Sequence, residues 1–352
     1  MKHIQRKPIR FLLASLALLA VAGCGDPAGY GPSGAQDPGV LLVTLTQGGG
    51  GDLAWTSDGT ELVYAVAGEL RAVSASTHTV RRLDTPPSGV IQAVSRAGAR
   101  IYFASSLSAP GPNDPNSLIG RVNPIAGSAE ILLTSRSGPD QHVIVSADER
   151  FLATNGVLYD LGTGGQINLP VGTAFGFSPD GSQLLYYQAQ NGLLIGAPSL
   201  ISTADGSSSE PLQSPSGSFH YGHRWDGNSL QLLDFSRDDE ALRLFEIDAV
   251  TGVHRALAEF GSNPFFPAIL PVANWSLDGR TLAIWIEQGS GSSRRSNLYV
   301  IHSGSAPAVV ASVITGLDTG VGFPVFSPSG NSVAYPYYLD GGGTSLYLKS
   351  GI

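Results

Sequence analysis

Three histidines offer the most chemistry in this chain of 352 residues. His142 stands three residues before Val145, and His220 and His223 stand five and two before Trp225. Neutral imidazole is the commonest protein ligand for transition metals, so three of them gathered at one mouth could hold such an ion. Asp52 and Gln92 occupy comparable places, three before Trp55 and two before Val94. The simpler reading of all five is ordinary polar residues at the start of a strand. Other polar runs have plain readings too. Asp238-Asp239-Glu240 fits a solvated hairpin tip better than a calcium loop, and Asn113-Asp114-Pro115-Asn116 is turn chemistry. The sequence contains no Gly-x-Ser-x-Gly elbow, no Walker loop and no His-Glu-x-x-His. No complete acid–base set can be assembled from it.

The elements that must position these residues are written as a repeat. "FGFSPDGSQLLYY", residues 175–187, places Ser178-Pro179-Asp180-Gly181 between an aromatic run and a solid apolar one. Ser, Pro and Gly stand where a type I turn prefers them, and Gly181 can close a hairpin in the left-handed conformation. The run Leu184-Leu185-Tyr186-Tyr187 does not alternate, which predicts a strand covered on both faces. The unit recurs at Trp55-Thr56-Ser57-Asp58-Gly59, Val94-Ser95-Arg96-Ala97-Gly98, Val145-Ser146-Ala147-Asp148-Glu149, Trp225-Asp226-Gly227, Trp275-Ser276-Leu277-Asp278-Gly279 and Phe326-Ser327-Pro328-Ser329-Gly330. Trp55 to Phe326 spans six steps of about 45 residues, the period of four-stranded propeller blades. In most copies the second strand's first apolar residue lies seven after the leading residue: Leu62, Ile101, Leu184, Leu282, Val333.

Four strands per unit, little helical periodicity and 45 glycines predict an all-β chain forming a single propeller. The count is seven blades, with six and eight as the neighbouring alternatives. Two copies depart from the pattern. Glu149 replaces the turn glycine and should be strained there. The fifth turn shortens to Asp226-Gly227, a favoured two-residue hairpin pair. The last unit stops after "SLYLKS" (345–350) without a fourth strand, while a spare strand, Val40 to Thr46, precedes the first unit. The economical expectation is a ring closed by that strand beside Tyr347, which hides the open edges of a linear array.

Residues 1–23 are different. "MKHIQRKPIR" is basic, "FLLASLALLAVAG" is apolar but short for a bilayer span, and Cys24 follows at once. This reads as a secretory signal peptide, and Val21-Ala22-Gly23-Cys24 resembles the bacterial lipobox. The resemblance implies cleavage before Cys24, with lipid on its thiol and new amino terminus. Cys24 is the chain's single cysteine, which excludes an internal disulfide. Residues 24–39 then form a lipidated, Gly/Pro-rich tether, with the propeller over 40–352. Losing Lys2, Arg6, Lys7 and Arg10 leaves 16 basic residues against 28 acidic ones, a net charge of −12. A surface of that sign repels nucleic acid and anionic headgroups, so contact with the membrane is expected through the lipid alone.

The Ser-Pro-Asp-Gly turns, the apolar second strand and the third strand "LYVIH" (298–302) resemble the TolB-type propeller repeats of bacterial envelope proteins. The resemblance covers about residues 40–350 and is strongest in the fourth, sixth and seventh units. It implies that the start of each unit's first strand lines a central channel, which would put Asp52, Gln92, His142 and His223 there. TolB carries a further domain and no lipid, so its partners are not carried over. Gly222-His223 beside Trp225-Asp226 imitates the signature of the WD repeat, but in that family the two dipeptides lie at opposite ends of a blade. Two functions compete. One is a non-enzymatic scaffold that presents the propeller to an envelope protein or glycan, with no cofactor besides the lipid on Cys24. Gly25 after the cysteine points to the outer membrane, facing the periplasm. The alternative is a metal-dependent envelope enzyme resembling a polysaccharide lyase, with its site at the channel mouth. The scaffold is preferred, because the enzyme needs a catalytic set that the residues do not supply.

Overall fold

The computed structural model describes residues 37–45, 49–84, 90–106, 117–135, 143–154, 156–190, 193–194, 198–209, 220–227, 229–238, 241–248, 251, 253–260, 273–288, 295–303, 305–314, 320–339 and 343–352. The segment read as a signal peptide, Cys24 and the part of the expected tether up to residue 36 therefore lie outside the described residues. The chain is all-β, with no helix among the described residues, and forms a propeller of seven four-stranded antiparallel blades. In chain order the blades occupy 49–82, 90–135, 144–168, 172–209, 220–260, 273–314 and 320–350, the last completed by Val40–Leu45. Strands are lettered a to d from the channel outward.

The repeated turn explains why each blade starts as it does. Gly181 N–H donates to Ser178 C=O at 2.9 Å, and Gly181 takes φ +70° as the turn requires. The Ser178 hydroxyl donates to Asp180 Oδ1 at 2.6 Å and accepts from Gln183 N–H at 2.9 Å. Asp180 Oδ1 in turn accepts from Ser182 N–H at 3.0 Å. These bonds, that from Ser178 foremost, hold the Asp180 carboxyl down to about 2. The same hydroxyl–carboxylate pair recurs at Thr56–Asp58, Ser146–Asp148 and Ser276–Asp278, each at 2.6 Å. In blade 7 Ser329 replaces the acid and lies 3.1 Å from Ser327 Oγ.

Strand b carries the packing, covered on both faces as its unbroken apolar run predicts. Leu62, Tyr64 and Val66 pack with Leu42, Leu346 and Leu348 of blade 7. The alternate residues Val63 and Ala65 pack with Ile91, Val94, Ile101 and Phe103 of blade 2. An apolar cluster of this kind lies at every junction around the ring. Full burial of such a side chain stabilises by about 1.5–3 kcal/mol, so each blade depends on both neighbours.

Glu149 occupies its turn at φ +59°, the strained left-handed position anticipated for it. Its carboxylate reaches blade 2, accepting from Arg100 Nη1 at 2.9 Å and from the Tyr102 hydroxyl at 2.8 Å. Two turns differ from expectation. In blade 2 Ala97 pairs with Arg100 and Arg96 with Ile101, so Gly98-Ala99 make a two-residue loop and Arg96, not Val94, takes the leading place. In blade 5 Asp226 pairs with Ser229, so the loop begins at Gly227 and Asp226 belongs to the strand. In both the hairpin tightens because strand pairing continues one step further.

Blade 7 closes the ring as expected, with Val40 opposite Leu348 and Leu41 opposite Tyr347; Thr46 lies outside the described residues. The chain just before is stitched across blades 6 and 7. Ser312 N–H donates to Asp37 C=O at 3.0 Å, Lys349 Nζ pairs with Asp37 Oδ2 at 2.7 Å, and the Tyr335 hydroxyl donates to Pro38 C=O. Strand a of this blade is split into Gly320–Val321 and Val325–Phe326. The break faces Pro336, which has no N–H to offer a continuous ladder. In blade 4 strand c is split likewise, and the outermost place is held by a single bridge from Ile201 to Ser208.

Deleting residues 40–45 should open the ring, lower the melting temperature and broaden the transition, because blade 7 and blade 1 lose their shared cluster. A truncated chain that melts like the intact one would refute closure by this strand. At Glu149, the Ala variant should be less stable than the Gly variant by about 1 kcal/mol, since both lose the contacts to blade 2 and only Ala keeps the backbone strain. Equal stability in denaturant titrations would contradict the strain.

Candidate functional site

Antiparallel blades give the ring two unlike faces. The a–b and c–d hairpins all emerge on one side, here the turn face, and are short; 123–128 is the longest that joins two strands directly. The b–c and blade-to-blade connections emerge on the other, the loop face, and include 107–116, 136–143 and 261–272. The chain spends its extra length on the loop face, where each strand a begins.

Strand a is irregular at that end. The register against strand b slips between Gly49 and Leu53 in blade 1, between Ile91 and Ala93 in blade 2, between Ala174 and Gly176 in blade 4 and between His220 and Gly222 in blade 5. Each slip is a bulge, which turns side chains out of the regular alternation and is common beside binding sites. Asp52 and Gln92 both lie within such bulges, as do Phe175 and Tyr221.

Asp52 is half-buried and spans two junctions. Val94 N–H of blade 2 donates to its Oδ2 at 3.4 Å. Burial first, and then the charge of Asp52, raises the pKa of Tyr338 in blade 7. Asp52 and Tyr338 are thus brought close, a pairing with no signal in the sequence, since 286 positions separate them along the chain. Gln92 is placed by its backbone on the blade 2 bulge, and its side chain is not described.

The histidines are not shown gathered. His142 lies outside the described residues, and His220 is described only through its strand, opposite Asp234. The His223 ring turns sideways onto blade 4. It meets Phe175 edge-on at 6.4 Å between centroids, Phe175 in turn lies 4.7 Å from Tyr187, and a methyl group added at Gly176 would strike His223 Nε2. Burial brings its pKa down to about 4, so the imidazole is neutral near pH 7. That is the form that ligates metals, but the ring lies in a blade junction. Among the described residues no three His, Cys, Asp or Glu side chains converge as a metal site would need. His142 lies outside the described residues and the His220 side chain is not described, so of the three candidates only His223 has its ring placed. Phe175, which fixes it, was legible only as the first aromatic of "FGF".

Compared with known proteins, the chain matches no family model, and no curated protein matches it in sequence. Solved structures do match in shape. One is described as an oligogalacturonate lyase in complex with manganese, at 13% identity and TM-score 0.62, with 91% of this chain and 98% of that one covered. Another is an oligogalacturonate lyase from Vibrio parahaemolyticus, at 12% identity and TM-score 0.63, covering 88% and 92%. A third is the β-propeller domain of Cps50 (Swd1) from Myceliophteria thermophila, at 15% identity and TM-score 0.57, covering 88% and 99%. The chain is a seven-bladed β-propeller. Similarity at this level shows the fold alone.

The half-buried His223, packed on Phe175, makes stability pH-dependent. Its folded pKa of about 4 lies below the ordinary value of about 6.5, so the unfolded chain takes up a proton that the folded chain refuses. Its contribution is intact above pH 6.5 and is lost progressively toward pH 4, on the order of 3 kcal/mol. His223→Gln should flatten that part of the stability profile measured by denaturant titration at successive pH values. An unchanged slope would show that the ring is solvated.

Proposed function

We propose that the chain is a non-enzymatic binding module of the bacterial cell envelope, anchored through lipid on Cys24 and presenting its loop face to a protein or glycan. What carries this reading is the unequal investment in the two faces. The turn face is built from short repeated hairpins, whereas the loop face combines long connections with bulged inner strands. A rigid scaffold with variable loops at one end is the usual arrangement of a recognition surface. Gly25 after the cysteine supports attachment to the outer membrane, and the acidic balance disfavours nucleic acid as partner.

The experiment has two arms. In a two-membrane host, lipid labelling should require Cys24, and Cys24→Ala should lose both the label and outer-membrane fractionation. In the second arm, connection 261–272 is trimmed to the length of 169–171, which makes the corresponding crossing between blades 3 and 4. The trimmed chain should keep its melting temperature and lose most of its retention on purified envelope fractions. A variant at the turn-face residue Ser57 should keep both. Retention unaffected by trimming would overturn the loop-face assignment.

The lyase reading is favoured by two observations: His220 and His223 share strand a of blade 5 at the loop-face end, and a structure similar in fold is described as a lyase with manganese. Elemental analysis of the purified chain separates the two readings. Stoichiometric metal that is lost on replacing His142, His220 or His223 by Ala supports the enzyme. A metal-free, chelator-insensitive chain is the expected result.

A further inference from the structure

The turn face carries clefts between blades, and the repeat lets them be compared as internal controls. The cleft between blades 2 and 3, about 290 Å³, is lined by Arg121 with the carboxylates of Glu130 and Asp160. That between blades 6 and 7, about 350 Å³, is lined by Arg280 with Asp278. The cleft between blades 5 and 6, about 310 Å³, is different: Arg224 and Arg255 line it together with His302, Trp275, Ser303 and Ser305, and among the described residues no carboxylate does.

The arginines are held from below. Glu246 is almost fully buried, and its Oε1 accepts from Arg224 Nε at 2.8 Å and pairs with Nη2 at 2.7 Å. Its Oε2 accepts from Arg255 Nη2. Arg224 also lies 4.8 Å over the Trp275 ring and donates through Nη1 to Gly279 C=O across the junction. Arg224 is thereby fixed in place. Arg255 spends one N–H group on Glu246, and 57% of its side chain remains exposed. Two guanidinium charges over one carboxylate leave a net positive charge in a cleft of an otherwise acidic protein.

We infer that the cleft between blades 5 and 6 binds a carboxylate-bearing sugar unit. The planar fork of Arg255 matches a carboxylate. The hydroxyls of Ser303 and Ser305 and the His302 imidazole offer partners for ring hydroxyls, and Leu257 and Ile301 supply an apolar wall for the sugar's C–H face. An acidic peptide side chain would use the arginine and leave these groups idle. The inference rests on blades 5 and 6 at the turn face, so it stands or falls separately from the loop-face reading.

The probe is glucuronate, titrated into the full-length chain in detergent, with glucose and acetate as controls. Saturable glucuronate binding that weakens with salt is expected, with glucose inert and acetate weaker than glucuronate. Arg255→Gln should reduce affinity about tenfold or more. Ser305→Trp should block the cleft while leaving Glu246 paired, which keeps the test valid should the Arg255 variant fold poorly. Absence of glucuronate binding, or binding that survives Ser305→Trp, would overturn the site. Acetate binding as tightly as glucuronate would overturn the sugar as its ligand.

Discussion

The structure depends on one constraint: strand b of each blade is apolar on both faces, so no blade can be an end. Tyr64 faces blade 7 and Val63 faces blade 2, and both are fully buried. A linear array of such sheets would expose one apolar face at each terminus. Only a ring satisfies all seven at once, and it requires the last blade to acquire a fourth strand from elsewhere in the chain. Val40–Leu45 supplies it, and the contacts of Asp37 and Pro38 to Ser312, Lys349 and Tyr335 pin that strand to two blades.

The turn chemistry is the second layer. A hydroxyl, a carboxylate two residues on and a left-handed glycine close the hairpin with bonds inside six residues. The turn is thus nearly independent of its surroundings, and a chain can repeat it with little cost in context. Glu149 shows what happens when the glycine is lost: the backbone keeps its conformation and the longer side chain gains partners in the neighbouring blade. Strain within one turn is offset by a contact between two.

This difference in range explains what was legible in the sequence. The blades could be counted because the turn and the seven-residue offset to strand b are local and recur. Closure could be read because a strand was missing at one end and spare at the other. The tighter turns of blades 2 and 5 were misread by a residue or two, since a hairpin's length is set by how far pairing runs and not by its glycine. The candidate site was less legible. Asp52 and Gln92 were found through their distance from the turn, but their bulges depend on strand pairing. The His223–Phe175 stack and the Arg224–Glu246–Arg255 group join residues whose spacing along the chain carries no periodic signal.

The closing strand also sets an order of events. Thr44 lies 3.2 Å from Ser345, 301 positions away along the chain. Ribosomal synthesis produces residues 40–45 long before 344–348, so the first strand made is the last to be paired. Until then Leu42 and Leu45 lack their blade 7 partners Leu346 and Leu348, and the chain is a row of blades open at both ends. Contacts this distant in sequence form slowly, and unpaired strands invite pairing with other molecules. The interval before the ring closes is therefore when this chain is most exposed to aggregation, and when a chaperone covering Val40–Leu45 would have the largest effect on yield.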